Sequence, residues 1–127
     1  MKFAKTVFLI AGIYGLIALA PMYFLESTIA VRSPPAITHP EFFYGFVDLG
    51  VAWQILFLLI ARDPIRFRPA MIPCVIEKIP FGVSTISLYL ADRVGVDIML
   101  LSCVDLLLAA LFIVSFVKTS PARLRVA

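Results

Sequence analysis

Four long apolar runs, separated by short clusters rich in Pro, Asp, Arg and Glu, set the pattern of this chain. A helix rises about 1.5 Å per residue, so about 20 apolar residues cross a hydrocarbon core about 30 Å thick. The runs meet that length and predict helices over residues 6–25, 39–61, 69–90 and 96–117. The expected fold is all-α: an integral membrane four-helix bundle, one transmembrane domain over residues 1–127, multi-pass in the cell membrane.

Local signals place the breaks. The first run follows Lys2 and Lys5 and contains Ala18-Leu19-Ala20, which imitates a signal-peptide cleavage site, but its length and the following Pro21 favour a retained helix. Glu26 to Thr38 reads as a polar loop with Pro34 and Pro35. Thr38-His39-Pro40-Glu41 has the form of a capping box with Pro in the first turn, so the second helix begins near His39. It stops at Arg62-Asp63-Pro64, because proline disfavours helical geometry in the residue before it. Asp63 is expected to pair with Arg62, Arg66 or Arg68. In the third helix Pro80 deletes a backbone hydrogen bond to Ile76, which predicts a bend there.

Composition supports the membrane reading. The chain is 62% hydrophobic and 15% charged, with mean hydropathy +1.05, too little polar surface to clothe a water-soluble globule of this size. The net charge of +3 is dispersed at helix ends with no basic stripe, so the expected partner is the lipid bilayer and no nucleic acid. Lys2, Lys5, Arg62, Arg66, Arg68, Lys118, Arg123 and Arg125 fall on one side and only Arg32 and Arg93 on the other, which predicts cytoplasmic termini. Tyr23, Phe24, Phe42, Phe43, Tyr44 and Tyr89 then gather near the opposite interface, where aromatic rings are favoured. Cys74 and Cys103 lie in apolar stretches without metal-ligand spacing, so no metal or cofactor is expected. Motifs of serine hydrolases, P-loop proteins and zinc proteases are absent, and a single His supplies no multi-His site.

Four ionisable residues stand where lipid should be: Asp48, Glu77, Lys78 and Asp105. Each lies about 12 to 14 Å from an end of its helix. A charge at that depth costs at least about 2.5 to 3.5 kcal/mol, so these groups should face the bundle interior and find partners. One buried cluster is expected, with Lys78 paired to one acid and another acid protonated or hydrogen-bonded to Tyr, Trp or Gln. Glu41, Tyr44, Gly45, Asp48 and Ala52 share one face of the second helix, with Trp53 and Gln54 nearby. Ser102, Asp105 and Ala109 form a stripe on the fourth. Glu77, Phe81 and Ser84 form another on the third, where Lys78 aligns instead with Cys74, Gly82 and Thr85. The stripes are expected to converge on one cavity opening toward His39 and Glu41. Polar pairs also serve simply as adhesion between membrane helices, worth about 0.6 kcal/mol each on average.

The pattern resembles the EXPERA family of four-helix membrane proteins, which includes sterol isomerases and the sigma-2 receptor. The shared features are a first helix from Tyr14 to Glu26 ending in Pro21 and an acid, Pro34-Pro35 before a helix opening with Phe42-Phe43, Asp48 and Gln54 within it, and Arg68-Pro69-Ala70 opening the third helix. Small bacterial DoxX-like proteins look comparably similar. The EXPERA resemblance implies a lipid-entered cavity closed by acids that bind a cationic amine, as in a hydrophobic or cationic amphipathic ligand, or protonate a carbocation-like intermediate, with Glu26 and Asp48 in the matching positions. Where the isomerases carry polar catalytic groups this chain has Glu77-Lys78 and no histidine, which implies that ligand binding survives better than isomerase chemistry.

Three functions remain open on the sequence. The leading one is a binding protein for a lipid-soluble or amphipathic small molecule, with Asp48 and Glu77 as anchors, extending to an isomerase-like enzyme if catalysis survives. The second is a small proton-coupled transporter, favoured by a homodimer with acids at its interface. The third is a structural membrane subunit whose polar residues dock a partner.

Overall fold

The structure is a computed structural model that describes residues 1–124. Arg125 and Ala127, in the basic tail, lie outside the described residues. The chain forms α1 (Lys2–Leu19), a 3-10 turn (Ala20–Phe24), α2 (Glu26–Arg32), α3 (Pro40–Arg62), a 3-10 turn (Arg68–Ala70), α4 (Met71–Leu90), α5 (Val96–Lys118) and α6 (Pro121–Leu124). Four segments, Lys2–Phe24, Pro40–Arg62, Arg68–Leu90 and Val96–Lys118, are each 23 residues long and apolar enough to cross a membrane. The fold is all-α and built on these four helices.

Several boundaries differ from expectation for local reasons. The α-helical part of the first span ends at Leu19 and tightens into a 3-10 turn at Pro21, which has no N–H to continue the helix. The stretch read as a loop contains α2, whose Glu26 in the first turn and Arg32 in the last both suit the helix dipole. The capping box does not form. Pro40 is the first helical residue and His39 the cap, so Glu41 sits one position short of the box geometry and its Oε1 lies 3.2 Å from His39 Nδ1 instead. Asp63 pairs with no guanidinium among the described residues; its Oδ1 accepts the Arg66 backbone N–H at 3.1 Å and closes the turn after α3. The helix α4 continues through Pro80. It ends in a Schellman motif: the Arg93 N–H donates to the Leu88 carbonyl and the Asp92 N–H to Tyr89, with Asp92 left-handed at φ 55°.

Sequence neighbours pair in space. The helix α1 packs along α3, α4 packs along α5, and the pairs join where α1 meets α5, while α3 and α4 approach one another sparsely. The α4/α5 interface is close because Gly82 has no side chain: a Cβ there would fall 2.5 Å from Leu106 Cγ.

The packed core occupies the end of the bundle that carries the termini. The Phe8 ring stacks on Phe112 at 4.3 Å, and Phe57 stands edge-on to both at 6.0 and 5.0 Å. Val7, Ile60, Met71 and Cys74 surround this triad. At the same end the Arg68 guanidinium lies 3.6 Å over the Phe116 ring and its Nε donates to the Phe116 carbonyl at 3.2 Å, which ties the start of α4 to the end of α5. One half of the bundle is therefore solid, and the other half is not.

Candidate functional site

Above the aromatic triad the four spans separate around a cavity of about 410 Å³. Tyr14, Gly15 and Leu19 of α1, Phe46, Gly50, Trp53 and Gln54 of α3, Phe81 of α4 and Ile98, Leu101 and Leu108 of α5 form most of its wall. Glu77, Lys78 and Asp105 supply the polar end. Apolar walls with a few convergent polar groups are the usual make-up of a small-molecule site.

Lys78 is the centre of that polar end. It lies on the buried face of α4 with Met71, Cys74, Gly82 and Thr85 and is 6% exposed. Its Nζ is 3.0 Å from Asp105 Oδ1 and 3.3 Å from Glu77 Oε2, and 5.6 Å from the centre of the Phe57 ring. The Asp105 pair bridges α4 and α5, whereas Glu77 is the next residue to Lys78 on the same helix. Glu77 Oε2 is buried and receives no hydrogen bond. Two carboxylates face one ammonium here, so with all three ionised the site carries one net negative charge.

Gln54 enters the cavity wall through a small-residue notch. Its Nε2 donates to the Gly50 carbonyl at 3.0 Å, one turn back on α3, and its side-chain amide occupies the place a Cβ on Gly15 would take. Gln54 is 2% exposed, so α1 and α3 close over it. Trp53 stands beside it, tilted against Phe57 at 6.5 Å.

The expected single cluster is divided in the structure. Glu77, Lys78 and Asp105 come together, with Trp53 and Gln54 on the same cavity, but Asp48 does not line it and is exposed. The Tyr23 hydroxyl donates to Asp48 Oδ1 at 2.5 Å. The reason is helical phase: Asp48 and Gln54 are six residues apart, about 120° around α3, and the bundle buries the Gln54 face. The face of Glu41, Tyr44 and Asp48 therefore turns away, and the cavity does not open along it toward His39 and Glu41. The Tyr44 hydroxyl donates to Glu26 Oε2 at 2.7 Å. Both residues border a separate hollow of about 310 Å³ with Tyr23, Phe24, Ser27 and Ile37. Gly15 and Phe57 carry no expectation from the sequence, and Tyr23 is expected there only as an interfacial aromatic, not as the partner of Asp48. For Gly15 the signal was Ala11-x-x-x-Gly15, small residues one turn apart on an apolar helix.

Fold and site together define a four-span all-α bundle, solid at one end and hollow at the other, with an ion-paired lysine at the boundary. Comparisons with known protein families, with curated proteins and with solved structures return no match for this chain.

Proposed function

We propose that the protein is a multi-pass protein of the cell membrane, with both termini cytoplasmic, that binds a lipid-soluble or amphipathic small molecule inside the bundle. The observation that carries this is the cavity of about 410 Å³, walled by apolar side chains from all four spans and closed at one end by Glu77, Lys78 and Asp105. That volume lies in the range of roughly 300 to 1,000 Å³ common for small-molecule sites. The sparse packing of α3 against α4, bridged by the Phe46 and Phe81 rings at 6.3 Å, offers a lateral route from lipid. The Phe8, Phe57 and Phe112 triad makes the cavity one-ended, which favours a binder over a conduit.

Trp53 is the only tryptophan of the chain and lines the cavity, so it reports occupancy directly. Brominated dodecanol titrated into nanodiscs should quench Trp53 fluorescence along a saturating curve, and Ala18→Phe, at a position of α1 that also lines the cavity, should narrow it and weaken the quenching. Quenching that rises linearly with probe in both proteins would show partitioning into lipid alone and would overturn the proposal.

A further inference from the structure

A buried primary amine at the end of an apolar cavity is a chemical group as well as an ion-pair partner. Resting on the cavity reading above, we propose that Lys78 is a covalent attachment point for a lipid-soluble aldehyde, held as a protonated imine between Asp105 and Glu77.

Three observations lead there. Lys78 Nζ sits on the cavity wall, whereas Lys2, Lys5 and Lys118 are exposed at the opposite end of the bundle. The walls beyond it, Trp53, Phe81, Phe46 and Leu101 among them, suit an aliphatic or conjugated tail and exclude water, which is what hydrolyses imines. Its two carboxylate neighbours at 3.0 and 3.3 Å supply a proton acceptor and a counterion. Lysines desolvated in a hydrophobic pocket are the usual imine-forming ones.

The step balances in atoms and charge. The ammonium gives one proton to the Asp105 carboxylate, the freed amine attacks the aldehyde carbon, and a carbinolamine forms. Asp105 returns its proton to the carbinolamine oxygen, which leaves as water while the C=N bond forms. The nitrogen keeps one proton, so one ammonium and one aldehyde become one iminium and one water. The cation that Asp105 and Glu77 face before the reaction is replaced by a cation in the same place. The carboxylates therefore hold product as well as reactant, and no oxidant or reductant is needed.

The test uses the full-length protein in nanodiscs with dodecanal as probe and cyanoborohydride to reduce any imine to a stable secondary amine, read by peptide mass spectrometry. Alkylation at Lys78 should saturate, run about tenfold or more faster than at Lys2 or Lys5 because the cavity concentrates the aldehyde, and fall when excess dodecanol fills the cavity. Lys78→Arg should lose the adduct at that position. Labelling of Lys78 no faster than of Lys2 and Lys5 in the wild type would overturn the proposal even if the Arg variant fails to fold. Saturable Trp53 quenching without an adduct removes the imine and leaves the binding reading standing; an adduct without saturable quenching does the reverse.

Discussion

Lys78 is outnumbered by its carboxylate partners, so the three residues of the cluster should respond unequally to neutralisation. At 3.0 Å and an effective dielectric of 20, the Lys78 to Asp105 attraction is about 5.5 kcal/mol, and the 3.3 Å approach to Glu77 adds about 5. Repulsion between the carboxylates and the partial exposure of both, 15% for Asp105 and 22% for Glu77, reduces what each pair contributes. Lys78→Met removes the only cation and leaves two negative charges, a loss of about 3 to 5 kcal/mol. Asp105→Asn still leaves Lys78 paired with Glu77, but it breaks the contact that joins α4 to α5, and should cost about half as much. Glu77→Gln leaves one cation facing one anion across the shorter contact and should be nearly neutral. The double variant Lys78→Met with Asp105→Asn restores the wild-type net charge and should be less damaging than the two single losses added. Equilibrium unfolding in detergent micelles measures all four. Glu77→Gln as harmful as Asp105→Asn, or a double variant whose loss is simply additive, would refute the assignment of Asp105 as the principal partner.

Gly82→Ala should destabilise by about 1 to 3 kcal/mol, since its new methyl meets Leu106 across the α4/α5 interface; Gly45→Ala, with nothing within 4 Å, should be neutral or gain about 0.5 to 1 kcal/mol of helix propensity, and both are read in the same unfolding assay. Asp92→Gly should be tolerated, whereas Asp92→Val, a β-branched residue at φ 55°, should lose about 1 to 2 kcal/mol, visible as a lower unfolding midpoint. A reporter active only in the cytoplasm, fused at the C-terminus, should be active; a silent but well-expressed fusion would reverse the orientation drawn from the basic residues.

The four spans were legible because hydropathy over about 20 residues adds many small terms of the same sign, and errors at single positions cancel. The partnership of Lys78 with acids was legible for a related reason: charges at that depth need partners, and few candidates exist. Asp48 was not legible in the same way. The helix α3 carries two polar faces, Glu41 with Tyr44 and Asp48, and Gly50 with Gln54. Which of them is buried depends on Gly15 of another helix accepting the Gln54 side chain. Tyr23 satisfies Asp48 from 25 residues away, and no local pattern announces that distance. The short helix α2 was hidden because Pro34-Pro35 and polar residues dominate the segment, while its support comes from charges at its two ends.

The pairing of α1 with α3 and of α4 with α5 bears on how the chain enters a bilayer. Each pair is a hairpin of two spans that is contiguous in sequence. Tyr23 with Asp48 and Tyr44 with Glu26 lie wholly within the first hairpin; Lys78 with Asp105 and Glu77 lies wholly within the second. Every one of these polar partnerships is thus complete before the hairpins meet, so each hairpin can leave the translocation machinery with these side chains already partnered. Their later docking along α1 and α5 rests mainly on apolar packing, with Lys118 of α5 lying 4.3 Å over the Phe3 ring of α1. Two polypeptides divided beside the exposed Arg66 would each insert on their own and assemble afterwards in the membrane plane.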